Sequence, residues 1–192
     1  MFLNLTTPEA FAIIGSPNII RKDEVIPKQF PECPNTPYQP EYDWLFQYER
    51  DLAAFLGKWL SSYRYELIGE KGILCEALSN AFSHGNRKDP FKTIQVRIWL
   101  GENGLLVKIK DNGDGFNVRE TYERYRKRKR YYALAGNGMR LMAESENFGV
   151  FYDAGGTIFY MLYLFKTKLC NLPEHMLLSP PHPNEEKRSA YR

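Results

Sequence analysis

Three short motifs in this chain combine acidic, amide and glycine residues that can bind a nucleotide. They are Glu76-Ala-Leu-Ser-Asn80, Asp111-Asn-Gly-Asp-Gly115 and Gly136-Asn-Gly138. Each motif is common by itself, so the interpretation depends on their order and on the elements between them. A strand-like hairpin separates the first two, and a basic stretch separates the last two. In this order they indicate an ATP site.

Glu76 and Asn80 are four residues apart, so on a helix both side chains project from one face. An amide oxygen can ligate Mg²⁺, which prefers oxygen ligands. A carboxylate can accept the proton of an attacking hydroxyl group or water. In a magnesium–nucleotide complex, Asn80 could therefore bind the metal while Glu76 accepts the proton. The same spacing also fits the solvated face of an amphipathic helix.

Asp111 ends a period-two segment in which it shares the parity of Leu105, Val107 and Ile109. It should therefore point towards the core, where a buried carboxylate needs a partner. The exocyclic amine of adenine is a suitable donor, and Gly113 and Gly115 allow the backbone to approach a flat ligand closely. The alternative is a simple turn in which Asp111 caps its own backbone.

The third motif, Gly136 and Gly138, opens a predicted helix whose free amides favour phosphate. The preceding residues 119–130 contain seven Arg or Lys and two Glu, so the net charge of +3 leaves about −2 for the rest of the chain. The segment 116–138 fits a lid over a triphosphate, a solvated helix with Tyr122, Tyr125 and Tyr132 at near-helical spacing, or a local nucleic-acid patch. Because the charge is confined to one segment, general nucleic-acid binding is not expected.

The hydrophobic pattern predicts the elements that position these motifs. Helical periodicity covers Glu41–Leu60, approximately Gly69–Gly85 and approximately Gly138–Glu146, whereas residues 93–111 and 148–165 have the alternation of β-hairpins. This order predicts an α+β fold, a two-layer sandwich with a mostly antiparallel sheet and helices on one face.

Prolines concentrate at both ends of the chain. We expect a Pro-rich extension at residues 1–40, an ATP-binding domain at 41–171 and an irregular tail at 172–192. No apolar run is long enough for a membrane span, and the N-terminus does not have the pattern of a signal peptide. Three scattered cysteines, Cys33, Cys75 and Cys170, are typical of reduced thiols in a cytoplasmic protein.

The three motifs resemble the nucleotide-binding domain shared by Hsp90, DNA gyrase, histidine kinases and MutL. Gly156-Thr157 resembles the late Gly-Thr pair of that domain. The longer strings EALSNAFSHGN and GNGMRLMAE are most similar to bacterial anti-sigma factor serine/threonine kinases. The resemblance covers approximately residues 70–165.

The resemblance implies a role for each matching residue. Glu76 would activate a serine of an antagonist protein, Asn80 would hold Mg²⁺, and Asp111 would bind adenine. The remaining ATP-binding positions would be Gly113, Gly115, Gly136, Gly138 and Thr157. Partners would be an anti-anti-sigma-type antagonist protein, a sigma factor and a second copy of the chain.

The length of the chain limits which members of this family it can resemble. A chain of 192 residues is not expected to hold the further domains of Hsp90, gyrase or MutL, and no histidine precedes His84 in this sequence to act as a phosphoacceptor. A small ATP-binding regulator with kinase activity is therefore expected. The alternative is a protein-binding module that uses ATP only as a switching ligand.

Overall fold

A five-stranded antiparallel sheet forms the centre of the computed structural model, which describes residues 1–26, 42–68, 72–127 and 137–178. The strand order is β1-β2-β3-β5-β4. The strands are β1 (Asn18–Val25), β2 (Ile94–Leu100), β3 (Gly104–Lys110), β4 (Gly149–Asp153) and β5 (Ile158–Leu164). The two predicted hairpins are therefore β2–β3 and β4–β5, joined through the β3–β5 pairing.

The described helices are α1 (Thr7–Ile14), α2 (Asp43–Leu60), α3 (Arg64–Leu67), α4 (Ile73–Asn80), α5 (Val118–Lys127) and α6 (Asn137–Glu144). Helix α4 continues into a π-helical turn at Ala81–Gly85. These elements confirm the predicted α+β class and the predicted antiparallel sheet. Helix α2 begins two residues after the predicted start, and residues 69–71 of the second predicted helix lie outside the described residues.

Alternate residues of the strands belong to two separate hydrophobic clusters, so the sheet has apolar side chains on both faces. The inner face, which carries Val107 and Ile109, packs against α2, α4 and α6. The outer face, which carries Leu106 and Leu162, packs against α1. Helices were predicted on one face only, and α1 adds cover on the other.

Residues 1–26 were expected to be extended or irregular, but they form α1 and the edge strand β1. Their prolines are compatible with this because Pro8 lies at the start of α1, where its missing N–H costs no helical bond. The overlooked signal is a capping box, in which Thr6 and Glu9 exchange hydrogen bonds of 2.7 and 3.5 Å. A shift in register between Ile19 and Arg21 interrupts the alternation of β1.

The first residues of the chain bind to its later parts. Phe2 forms a parallel bridge with Val150, and Leu3 forms an antiparallel bridge with Leu177. Phe2 and Leu3 are both buried, and Phe2 lies against Tyr122 of α5 with 4.9 Å between ring centroids. The segment therefore contributes to the packed structure at β4, at α5 and near residue 177.

Two further expectations concern cysteines and membranes. Cys75 and Cys170 are free thiols, and Cys33 lies outside the described residues. Within the described ranges, the helices are too short or too polar to cross a bilayer.

Candidate functional site

A cavity of about 460 Å³ lies between α4, α6 and the inner face of the sheet. Four residues predicted from the motifs line it: Glu76, Asn80, Asp111 and Gly115. The first two come from α4, and the last two come from the loop after β3. The fold thus brings two motifs separated by a hairpin to one cavity.

Glu76 and Asn80 lie on the cavity side of α4 and bind each other. The Asn80 amide nitrogen donates to Glu76 Oε1 at 2.9 Å. Their side chains share a face because four residues complete about one helical turn. With its nitrogen directed to Glu76, Asn80 has its amide oxygen to offer to a cation.

Gly138 connects the start of α6 to this pair. A β-carbon at Gly138 would lie 2.0 Å from Glu76 Oε1 and 2.2 Å from Glu76 Cδ. Only glycine can occupy this position without displacing the carboxylate or the helix. Gly138 therefore positions Glu76, in addition to any contact with phosphate. Gly136, the other predicted glycine of this motif, falls outside the described residues.

Asp111 is half-buried at the opposite wall of the cavity. Its Oδ1 accepts a hydrogen bond from Gly113 N at 2.8 Å, so the predicted turn is present. Burial raises the pKa of Asp111 above its ordinary value, and the Gly113 hydrogen bond partly opposes this. The residue thus caps its own turn while its carboxylate borders the cavity.

The glycines around Asp111 allow three backbone segments to meet. A β-carbon at Gly85 would lie 2.3 Å from Asp111 Cγ, and one at Gly113 would lie 2.3 Å from the Gly85 carbonyl oxygen. Gly115 has φ of +74° and would place a β-carbon 2.1 Å from the Gly155 carbonyl oxygen. The motif therefore needs glycine for close packing at Gly113 and for both packing and conformation at Gly115.

Thr157 lies next to the cavity wall and contacts Asp111 through the backbone. Its carbonyl oxygen accepts a hydrogen bond from Asp111 N at 3.2 Å. Its hydroxyl group donates to the Ala154 carbonyl oxygen at 3.1 Å. The neighbouring Gly156 lines the cavity itself. The predicted Thr157 thus supports the position of Asp111.

The sequence motifs did not identify the apolar wall of the cavity, which consists of Ile109, Met139, Met142, Tyr152 and Phe159. In the sheet, Phe159 of β5 pairs with Ile109 of β3 on one side and with Tyr152 of β4 on the other. Burial raises the pKa of Tyr152, and the charges of Glu76 and Asp111 add to the effect. The three-residue spacing of Met139 and Met142 on α6 was the sequence signal that could have indicated part of this wall. Such a wall suits a flat aromatic ligand.

Asn86 is a further residue to which the sequence motifs assigned no role. Its side chain is fully buried, and its amide nitrogen donates to the Thr93 and Lys92 carbonyl oxygens at 3.0 and 3.4 Å. Its amide oxygen accepts from Asn112 N at 2.8 Å. Asn86 therefore joins the loop after α4 to the loop that carries Asp111 and Gly113.

Part of the predicted lid is a packed helix. Helix α5 buries Tyr122 and Tyr125 against the core, while Thr121 lines the cavity. The exposed Arg119 and Arg124 form i,i+4 ion pairs with glutamates of the same helix. The helical alternative thus holds for residues 118–127, and residues 128–136 lie outside the described residues.

The comparisons with known proteins agree with this geometry. Residues 65–145 match the family model of the histidine kinase-like ATPase domain. Two anti-sigma F factors, from Geobacillus sp. (strain WCH70) and Anoxybacillus flavithermus (strain DSM 21510 / WK1), are each 28% identical over 125 residues. Each alignment covers 62% of this chain and 85% of the relative. The sheet, the helices and the family match together identify a histidine kinase-like ATPase fold.

Proposed function

We propose that this histidine kinase-like ATPase domain acts as an ATP-binding regulator of the anti-sigma factor type. In this proposal it phosphorylates a serine or threonine of an antagonist protein. The observation that carries the proposal is the single cavity in which Glu76 and Asn80 face Asp111. The similarity to two anti-sigma F factors supports the regulatory part.

Adenine fits the end of the cavity where Asp111 lies. The Asp111 carboxylate would accept a hydrogen bond from the exocyclic amine, and the aromatic and aliphatic wall would pack against the ring. Gly85 and Gly113 allow the segment after α4 to approach the Asp111 loop closely, which fixes the position of the Asp111 carboxylate. The phosphates would then extend towards α4 and the start of α6, whose N-terminal backbone amides would favour their negative charge.

The donor set in the cavity suits Mg²⁺ bound mainly through a nucleotide. Among the described residues, no group of three or more His, Cys, Asp or Glu could hold a metal alone. Mg²⁺ commonly takes one or two protein oxygens and completes its shell with phosphates and water. Asn80 would supply the protein oxygen, and the bound ion would neutralise charge on the phosphates.

Glu76 would act on the hydroxyl group of the antagonist protein. Its carboxylate would accept the hydroxyl proton while the oxygen forms a bond to the γ-phosphorus of ATP. The bond from the γ-phosphorus to the bridging oxygen breaks, and ADP leaves. The hydrogen bond from Asn80 and the contact with Gly138 hold the carboxylate in place for this step.

We propose three further features of this regulator. Its partners are an anti-anti-sigma-type antagonist protein and a sigma factor. It acts in the cytoplasm, where the sigma factor would be sequestered. Two copies of the chain associate as a homodimer. The similarity to two anti-sigma F factors supports the first feature, and size-exclusion chromatography with light scattering would test the third.

One observation also favours a second function. The Asn80 N–H group occupies Glu76 Oε1, so this oxygen already has a hydrogen-bond partner within the chain. A domain in which this pair is purely structural could still bind ATP and change its affinity for a protein partner. The alternative is therefore a non-catalytic, nucleotide-switched protein-binding module.

Transfer of radiolabel from ATP to a candidate antagonist protein separates the two functions. Glu76→Gln should retain ATP affinity and lower transfer by about 10²–10⁴-fold, because it keeps the shape but loses the proton acceptor. Glu102→Gln, an exposed position in the β2–β3 turn, is the matched control. Equal labelling by wild type and Glu76→Gln would remove Glu76 from the mechanism. If the wild type binds ATP but labels no antagonist protein, the kinase proposal fails and the nucleotide-switched binding module is supported.

A further inference from the structure

The outer face of the sheet carries a row of positive charges on neighbouring strands. Lys22 of β1 lies opposite Arg97 of β2, and Arg97 lies opposite Lys108 of β3. Lys110 follows two residues later on the same face of β3. We call these four residues the basic row. Lys22 is exposed, and the other three are partly exposed.

The basic row is electrostatically unfavourable in the isolated chain. Directly opposed like charges on neighbouring strands destabilise a sheet. Burial lowers the pKa of Lys108, and Arg97 and Lys110 lower it further. Among the described residues, no carboxylate forms an ion pair with any member of the row. The repulsion within the row therefore persists.

Two carboxylates share this face but lie at its borders. Glu24 lies on the edge strand and accepts a hydrogen bond from Thr93. Asp153 lies on the opposite side and accepts hydrogen bonds from Thr7 and Ala154. Asp153 raises the pKa of Lys108, but less than Arg97 and Lys110 lower it. The positive charge is thus confined to β1, β2 and β3, with Glu24 beside Lys22 on β1 and Asp153 on the far edge strand β4.

We propose that the basic row docks an acidic helix of a protein partner. Neighbouring strands are about 4.8 Å apart. Carboxylates three or four residues apart on a helix are about 5–6 Å apart. A helix that crosses the strands would therefore place one carboxylate near each of Lys22, Arg97 and Lys108. Exposed Ile19, on the same face next to the row, offers an apolar contact.

A protein partner fits this face better than a nucleic acid does. Outside residues 119–130 the chain has a net charge of about −2, so there is little positive charge beyond the basic row for a long polyanion to contact. The negative borders at Glu24 and Asp153 also limit the length of a polyanion that could lie across the row. A short acidic helix can bind the centre without meeting them.

The inference goes beyond the proposed kinase activity, because the basic row and the nucleotide cavity lie on opposite faces of the sheet. A partner on the outer face would leave the cavity accessible. Binding at the row can therefore be measured in the absence of nucleotide. Failure of one proposal would not decide the other.

The probe is a synthetic helical peptide of about 20 residues with glutamates three and four residues apart along one face. Fluorescence anisotropy would give its affinity for the full chain at low salt. The same peptide with glutamine in place of glutamate tests the role of charge. A single-stranded oligonucleotide of equal charge tests the partner class. We expect the acidic peptide to bind at least about tenfold more tightly than either comparison probe.

The variant Arg97→Gln/Lys108→Gln should weaken binding of the acidic peptide by at least about tenfold. The matched control Lys166→Gln/Lys168→Gln removes the same charge from exposed positions after β5 and should change the affinity less than about twofold. Equal losses in both variants, or no binding by the wild type, would overturn the proposal. Tighter binding of the oligonucleotide would assign the face to nucleic acid and overturn the partner class.

Discussion

Gly138 and Glu76 are in such close contact that a β-carbon on Gly138 would lie 2.0 Å from the Glu76 carboxylate oxygen. The contact joins the start of α6 to α4, which are separated by about 60 residues in the sequence. The glycine of one motif therefore controls the position of the carboxylate of another. The two motifs form a single geometric unit.

The variant Gly138→Ala tests this unit. The added methyl group must displace either Glu76 or α6, and we expect transfer to fall by about 10²-fold because small displacements at a reacting group are costly. Gly57→Ala in α2 is the control, since a β-carbon at Gly57 would meet nothing within 4 Å. Normal transfer by Gly138→Ala would contradict the positioning role.

Asp111→Asn should weaken ATP binding by about 2–3 kcal/mol. The substitution removes a charge-assisted hydrogen bond and can place an amide donor against the amine of adenine. Calorimetry would measure the affinity. Glu102→Gln is the control, because it also replaces a carboxylate by an amide, at an exposed position that does not line the cavity. Unchanged affinity in Asp111→Asn would exclude this residue as the adenine ligand.

Asn80→Ala should reduce the effect of Mg²⁺ on ATP binding, because it removes the proposed protein oxygen from the ion. The measurement is ATP affinity with Mg²⁺ and with a chelator, for wild type and variant. We expect the wild type to bind more tightly with Mg²⁺ and the variant to lose most of that difference. Asn112→Ala, at an exposed position nearby, should behave as wild type. An undiminished Mg²⁺ effect would argue against Asn80 as the ligand.

Asn86→Ala should lower the free energy of unfolding by about 1–3 kcal/mol, because it removes the amide donor and leaves the Thr93 carbonyl oxygen without this bond. It should also weaken ATP binding, since Asn86 holds Asn112 beside Asp111. Urea unfolding and calorimetry would measure the two effects. Loss of stability with unchanged ATP affinity would show that Asn86 supports the fold without positioning the site.

Lys108→Gln should raise the free energy of unfolding by about 0.2–1 kcal/mol, since it removes like-charge repulsion across β2 and β3. The lowered pKa of Lys108 gives a matching pH effect. Between its folded and unfolded pKa values the unfolded chain binds more protons, so the stability of the wild type should rise with pH there. This rise should be smaller in Lys108→Gln. Equal stability of variant and wild type would show that the repulsion is negligible.

The parts of the fold with uninterrupted periodicity were predictable from the sequence. Helix α2 and the β2–β3 hairpin have regular apolar spacing, and the parity of Asp111 correctly placed it on the inner face. Strand β1 was not predicted because its alternation is broken by the register shift at Ile19 and because it carries four charged residues at an edge.

The limits of prediction at the site have a similar origin. Motif spacing identified the polar residues of the site, because each motif lies within one helix or one loop and its residues keep a fixed spacing there. The contacts of Gly85, Asn86 and Gly138 join segments that are distant in sequence, and no local pattern encodes which backbone will approach them. The apolar wall was also hidden, because methionine and phenylalanine at such spacing are typical of any core.

The path of the N-terminal segment affects the order in which the protein can assemble. Residues 2–25 begin beside β4, cross the outer face as α1 and end as the strand next to β2. During synthesis, β1 can pair only after residues 94–100 have been made, and Phe2 can form its bridge only after Val150 has been made. Such distant contacts slow folding because a long loop must close before they form. Residues 2–25 are thus synthesised before the segments with which they pair and reach their final positions late in folding.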